Sequence, residues 1–424
     1  MSLLRNFRFI LNLIIAASSV VLLKRKSQRK RKKAAHWVHP YLAERSSKGR
    51  YATDFDDMVS GEKFFKENFH MSKNSFDQLF KLVEKDLAPK RNTRPKDGIP
   101  PKLKLGLVIE YLASGGLQRH LASCYRVSKQ HMGSIIDQVC DAICRALSAY
   151  VADPCQESFL EVANGFNSRW NFPNCIGAID GKHVSIKAPP NAGSIFYNYK
   201  GFHSLALMAI CDASYRFTYL DVGAYGSEGD CNIFKESKFG TDVLHDRLDF
   251  PENATVNGVK LPFFYVADDA FPLCKRIIKP YSKKNLSAEE RIFNYRLSRA
   301  RRCIENAFGL LCSKWACLKK TLYCSPDRAQ KIISACCMLH NFLISHKSTA
   351  YCPPGYMDKF DDENVITEGE WRKRISSDSL YHTTFSASAG RPSDYGKYIR
   401  NVLKQYVNSN IGELPWQRRA AFVE

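Results

Sequence analysis

Apolar and polar residues follow a strand pattern in the middle of the chain. Residues 175–186 form an apolar run that ends in a Pro-rich turn, and further apolar runs cover residues 205–210 and 217–222. Residues 212–216 have turn chemistry, and no helical spacing separates the three runs, so the pattern predicts an antiparallel meander. A fourth buried strand is predicted over residues 261–267.

Helical spacing begins again after the third strand. A helical turn is predicted to start at Asp230, and a long helix is predicted over residues 288–318. The order of three strands, helix, strand and helix is that of an RNase-H-like core. We therefore predict an α/β fold class, with a mixed sheet flanked by helices, preceded by an all-α region that resembles a helix-turn-helix.

The amino-terminal half has apolar residues at helical spacing. One helix is predicted around Phe76–Val83 and ends before Pro89. Residues 103–147 then predict a bundle in which a helix ending at 114–116 precedes a short helix, a turn and a longer helix capped by Ser128. This pair fits a helix-turn-helix in which Lys129, Gln130 and His131 open the second helix and contact DNA. Plain helical packing is the alternative, since amphipathic helix pairs are common.

These patterns divide the chain into four predicted regions. They are an apolar and basic segment (1–36), a helical domain (37–150), a domain with the RNase-H-like order of elements (151–345) and a tail with a terminal helix (346–424).

Charge and cysteine content narrow the class of protein. Among 424 residues, 63 lysines and arginines outnumber 42 acidic residues, which gives a formal charge of +21. Such an excess favours a polyanionic partner, with nucleic acid ahead of an anionic membrane. The 15 cysteines include no C-x-x-C pair and many lie in apolar runs, so we expect reduced, buried thiols.

The first residues combine an apolar stretch with a basic run. Residues 9–23 are shorter than the roughly 20 apolar residues that span a bilayer, so a helix that packs on its own protein is favoured over membrane engagement. Residues 24–33 carry eight lysines and arginines in ten positions. This run predicts nuclear import, with contact to phosphates as the other functional interpretation. The expected location is the nucleus, and the cytoplasm is left open.

Four acidic residues are candidate ligands for a metal ion. Asp180 interrupts an apolar strand, where a carboxylate is costly unless something pairs with it. Asp230, Asp268 and Glu305 follow on later elements, and hard divalent cations prefer such oxygen ligands. Each alone also fits a turn or a salt bridge, but four on separate elements favour one site. Arg301 and Arg302 share a helix face with Glu305, which suits a nucleic-acid phosphate as well as a salt-bridge lattice.

Four segments together resemble a known family, the PIF/Harbinger superfamily of DDE transposases, which includes the Harbinger transposase-derived nucleases. The segments are Gly177–Val184, Gly226–Phe234, Ala267–Pro272 and Arg302–Gly309. Asn294-Tyr295, the run at 338–342 and the run at 415–417 also fit.

The resemblance implies an RNase-H-like core that cuts and transfers DNA with Mg²⁺ or Mn²⁺. It places Asp180, Asp268 and Glu305 at the triad positions, and Asp230 as an additional metal ligand, with Glu228 as the alternative there. It also implies a separate Myb/SANT-like protein partner. A homo-oligomer is left open.

Two functions from different classes follow from these observations. The first is a metal-dependent DNA nuclease or transposase in which Asp180 bridges two metals, with Asp268 completing one site and Glu305 the other. The second is a domesticated, catalytically silent nuclear protein that binds DNA or recruits a partner. His183 points away from Asp180 by strand alternation and is interpreted as structural.

Overall fold

The computed structural model describes residues 38–89, 98–151, 154–360, 366–373 and 391–422. The predicted apolar segment 9–23 and the basic run 24–33 lie outside these residues. Residues 1–44 form one unit, whose described part contains helix α1 (Pro40–Ala43), and residues 45–424 form a second unit. Within the described ranges, no helix combines the length and the apolar character that crossing a membrane requires.

Helices precede the sheet, as the amino-terminal pattern predicts. They are α2 (Arg45–Lys48), α3 (Arg50–Thr53), α4 (Phe55–Ser60), α5 (Glu62–Phe69), α6 (Lys73–Leu87), α7 (Pro101–Ser114), α8 (Gln118–Cys124), α9 (Lys129–Ala146) and α10 (Gln156–Trp170). The oxygen of Ser72 accepts from Ser75 N and caps α6. Gly115, at φ +56°, ends α7 in the left-handed region. The helix-turn-helix pair corresponds to α8 and α9, and Ser128 caps α9 as predicted.

Five strands form the central sheet in the order β3-β2-β1-β6-β7. The strands of this half of the chain are β1 (Cys175–Ser185), β2 (Ser204–Cys211), β3 (Phe217–Tyr225), β4 (Ala254–Val256), β5 (Val259–Leu261), β6 (Phe264–Val266) and β7 (Ile277–Ile278). The first three pair antiparallel, which confirms the predicted meander. Strand β6 lies parallel to β1, and β7 parallel to β6. This mixed sheet with flanking helices is consistent with the predicted RNase-H-like fold class.

The remaining elements follow the strands or lie between them. They are α11 (Asp230–Glu236), α12 (Lys238–Leu244), α13 (Ala288–Lys314), α14 (Pro326–Ser345), the pair β8 (Lys359–Phe360) and β9 (Ile366–Thr367), α15 (Glu370–Lys373), α16 (Asp394–Val407) and α17 (Gln417–Phe422). Helix α13 begins with a capping box, in which Ser287 and Glu290 each accept from the other's backbone N–H. It ends four residues before the predicted residue 318, because Trp315 leaves the helical conformation.

Two apolar clusters cover the two faces of the sheet. Helices α13 and α14 pack on one face, and α11 and α12 contribute to the other. The first cluster extends without a break into helices α6 to α9, so that Leu112 and Ile304 belong to the same core. Arg328 on α14 also makes a bidentate ion pair with Asp137 on α9. The predicted boundaries at residues 150 and 345 stay predictions.

The cysteines follow the expectation of unpaired thiols. All 15 lie within the described residues, where they are free, and most are buried. Cys336 and Cys337 are fully buried on α14 and form part of the core.

The buried His340 predicts a loss of stability in acid. Its Nε2 donates to the carbonyl of Tyr215, and its Nδ1 accepts from the hydroxyl of Tyr351, so the ring is neutral. Burial lowers the pKa of His340 to about 4, from an ordinary 6.5. The unfolded chain therefore binds a proton at this histidine that the folded chain does not bind. The free energy of unfolding falls as pH falls from about 6.5 towards 4, by up to about 3 kcal/mol.

This pH dependence can be measured by chemical denaturation of the wild-type protein and the His340→Gln variant from neutral to acidic pH. Glutamine keeps one donor and one acceptor but does not titrate in this range. We expect the difference between the two free energies of unfolding to shrink as pH falls. A difference that is the same at every pH would contradict the assignment.

Candidate active site

Asp180 lies in the middle of the central strand β1. Its register partner on β2 is Ala209, and its side chain is only 2% exposed. Alternation places it on the same face as Val184, which belongs to the core under α13. One carboxylate oxygen accepts from Gly181 N at 2.9 Å. The strand therefore holds a buried carboxylate towards the long helix.

Asp268 is brought next to Asp180 by the parallel pairing of β6 with β1. It follows β6 by two residues, and its Oδ1 accepts from Ala270 N at 3.0 Å, which fixes the turn. Burial, and then the charge of Asp180, raise the pKa of Asp268 to about 6, while Arg301 acts in the opposite direction. Two buried carboxylates thus lie close enough to repel each other. Carboxylate oxygens in such a pair suit a divalent cation as ligands.

Helix α13 supplies the next groups of the site. Arg301 and Glu305 are four residues apart and therefore share one face of the helix. The charge of Arg301 reaches Asp268, and its Nε is buried without a hydrogen-bond partner. Glu305 is half-buried, and its charge helps to raise the pKa of Arg372, after the larger effect of the hydrogen bonds that Arg372 donates to Asp358. The predicted helix position of the third acid is confirmed, whereas its role as a ligand stays a prediction.

Asp230 occupies a different side of strand β1. It is the first residue of α11, it is 5% exposed, and its carboxylate lies against the backbone of Gly181. A Cβ atom at Gly181 would overlap that carboxylate, so any other residue here would have to displace the Asp230 side chain. Since neighbouring strand residues point to opposite faces, Asp230 packs on the face that Asp180 does not use.

Lys200, which the sequence reasoning missed, lies near both aspartates. Burial and the neighbouring Lys182 lower the pKa of Lys200, while the carboxylates of Asp230 and Asp180 oppose that shift. It lies in the irregular connection between β1 and β2. The sequence there has neither helical nor strand periodicity, so the direction of its side chain could not be predicted. The sequence signal available was a lysine between two tyrosines and a glycine at 197–201.

The four predicted acids are therefore only partly assembled. Within the described ranges, no group of three or more Asp, Glu, His and Cys side chains is arranged to hold a metal ion. Asp180 and Asp268 come together, Glu305 lies one helical turn beyond Arg301, and Asp230 lies across the strand. Paired, buried carboxylate oxygens fit a hard divalent cation in their donor chemistry. The complete ligand set stays a prediction.

The predicted DNA-contact residues lie in two places. Lys129, Gln130 and His131 are exposed at the amino-terminal end of α9. Arg301 and Arg302 are half-buried on α13. The positions of the first three suit contact with a partner, and their role in DNA binding stays a prediction.

The chain is similar to a family of endonucleases and to proteins named as putative nucleases. Residues 179–341 match the family model described as DDE superfamily endonuclease. The bovine (Bos taurus) protein named "Putative nuclease HARBI1" is 26% identical over 268 residues, which cover 62% of this chain and 73% of that protein. The Arabidopsis thaliana "Protein ALP1-like" is 26% identical over 297 residues, covering 66% and 71% of the two chains. No solved structure gives a significant match.

Proposed function

From the DDE superfamily endonuclease domain of this chain and its homology to Harbinger transposase-derived nucleases, we propose that it cuts phosphodiester bonds of DNA with divalent metal ions. The catalytic acids in this proposal are Asp180, Asp268 and Glu305. Asp230, which lies on the other face of β1, is not assigned to the ligand set in this proposal. The matched region, residues 179–341, includes all four of these residues.

The observation that carries the proposal is the pair of buried carboxylates, Asp180 and Asp268. Two buried like charges that repel each other do not stabilise a fold, and the raised pKa of Asp268 reflects this repulsion. A bound Mg²⁺ or Mn²⁺ would relieve that repulsion, and it would supply activation of the attacking oxygen and stabilisation of the leaving oxygen. The carboxylates hold and orient the ions in this scheme.

Two cationic side chains complete the proposed chemistry. Arg301 presents a buried Nε without a hydrogen-bond partner beside Asp268, which suits an incoming phosphate oxygen. Lys200 approaches the carboxylates from the β1–β2 connection. Both cations would offset the negative charge that the DNA backbone brings to an acidic site.

Cleavage of supercoiled plasmid by the purified protein tests the proposal. Mg²⁺ and Mn²⁺ are compared with a chelator, and we expect nicking with either metal and none after metal removal. Binding that weakens with salt but never leads to nicking, with each metal present, would instead support the silent DNA-binding function. Addition of a Myb/SANT-like partner belongs in the same comparison.

The proposal includes a nuclear location, which the basic run at residues 24–33 supports. Replacing its lysines and arginines with glutamine is expected to shift a fluorescently tagged chain from the nucleus to the cytoplasm. Unchanged nuclear fluorescence would contradict this part of the proposal.

A further inference from the structure

A cavity of about 610 Å³ lies beside the turn that carries Asp268. Its walls come from the β1–β2 connection, from the turn before α11 and from Ala270. Ala270, whose N–H donates to Asp268 Oδ1, lines the cavity, and so does Asp230, which lies across β1 from Asp180. A group that fills this cavity therefore lies next to the proposed site of cleavage.

Aromatic rings form one wall of the cavity. Tyr197 and Tyr199 both line it, although they are 48% and 43% exposed, and the ring of His183 lies edge-on to Tyr199 at 5.9 Å. Exposed rings that surround an open cavity favour a flat, apolar ligand that can stack on them.

The backbone that carries these tyrosines is fixed by its neighbours. Asn198 is 2% exposed, its Oδ1 accepts from Lys200 N and Phe202 N, and its Nδ2 donates to Ser204 Oγ at 2.9 Å. Ser204 Oγ is also 3.0 Å from His183 Nδ1. The backbone that presents the two rings is thus ordered before any ligand arrives, which lowers the entropy cost of binding.

The charges of the lining residues determine which part of a nucleotide can enter the cavity. The acidic residues among the described lining residues are Glu228 and Asp230, and the described lining includes no lysine or arginine. A phosphate is therefore disfavoured inside the cavity. Lys200 lies at the rim, with its Nζ 5.5 Å from the centre of the Tyr199 ring. An uncharged base suits the interior, and a phosphate suits the rim.

We infer that this cavity binds a nucleobase that has left the DNA duplex beside the cut bond, with the base stacked on Tyr199 and the adjoining phosphate contacted by Lys200. The inference rests on the proposed function, since it takes DNA as the substrate. Holding one base outside the stack positions the adjoining backbone at the carboxylates and favours sites where the duplex opens easily.

The test compares the affinity of the full chain for two DNA duplexes by fluorescence anisotropy. One duplex carries a single unpaired base, and the other carries an abasic residue at the same position. We expect the unpaired base to be bound about tenfold more tightly, because stacking on an aromatic ring is lost without it. Tyr199→Ala should remove this preference, and Tyr199→Phe should keep it. Tyr323→Ala is the matched control, because Tyr323 is 72% exposed and does not line the cavity.

The outcomes separate the inference from the function on which it rests. Equal affinity of the wild-type protein for the two duplexes overturns the inference, even if plasmid nicking is observed. A preference that Tyr199→Ala retains also overturns it, since the base is then bound elsewhere. A preference lost only in Tyr199→Ala, in a protein that nicks no plasmid, supports the base site and overturns the nuclease. Absence of any DNA binding overturns both.

Discussion

Replacing Asp268 with asparagine is expected to lower metal-dependent plasmid nicking by at least about 100-fold. Asparagine has nearly the same shape, and its amide oxygen can still accept from Ala270 N, so the turn after β6 is kept. What is lost is the negative charge that a divalent cation requires next to Asp180. The loss of nicking is measured on supercoiled plasmid with Mg²⁺ and with Mn²⁺.

The adjacent residue offers a matched control. The Asp269 side chain is 55% exposed and pairs with Lys279 at 3.1 Å, instead of facing Asp180. Asp269→Asn removes the same charge from the next position along the chain, and we expect nicking to stay within a few-fold of the wild-type rate. Equal losses in the two variants would contradict the assignment of Asp268, because the effect would then follow overall charge or folding.

The same substitution is expected to leave the metal-free protein as stable as the wild-type protein, or more stable. The pKa of Asp268 is raised in the folded state, so its ionised form costs stability at neutral pH, and this cost is relieved as pH falls through about 6. Asparagine carries no such charge. Loss of nicking together with unchanged or higher melting temperature separates a functional acid from a structural one.

Much of the fold is predictable because its signals are local. The three strands of the meander are apolar runs separated by turn residues, and the caps at Ser72 and Ser128 precede helical spacing. The β4–β5 hairpin was missed, although Asn257 and Gly258 form a recognised two-residue turn and both have positive φ. Strand β7 is only two residues long, Ile277–Ile278, and no periodicity can identify so short an element.

The site is less predictable, because its geometry depends on pairing between distant segments. Asp180 on β1 and Asp268 after β6 come together through the order of the strands in the sheet, which the apolar pattern does not give. Lys200 lies near the carboxylates in the β1–β2 connection, where Asn198 bonds to Ser204 Oγ and accepts from Lys200 N. That Asp230 packs on the other face of β1 depends on the missing side chain at Gly181. The positions of Lys200 and Asp230 produce no repeating pattern in the sequence from which they could be predicted.

Arg296 is a residue that stabilises the fold in a way the sequence does not predict. An arginine on a charged helix is expected to be exposed. Instead it is 1% exposed, and it donates to the carbonyls of Asn171 and Gly412 and to Gln417 Oε1. These bonds join α13 to the end of α10 and to the carboxyl-terminal segment. Burial lowers the pKa of Arg296 to about 10, which still leaves it charged at neutral pH.

Replacing Arg296 with methionine is therefore expected to lower the free energy of unfolding by about 2–4 kcal/mol. Methionine fills much of the same space but removes the donor to three oxygens, and the recovered cost of burying a charge offsets only part of that loss. Arg291→Met is the matched control on the same helix, because Arg291 is exposed, and we expect a change within about 0.5 kcal/mol. Chemical denaturation of both variants measures the difference. Similar losses would contradict this role of the three hydrogen bonds, whereas a loss confined to Arg296→Met would support it and would show that they hold the carboxyl-terminal segment against α13.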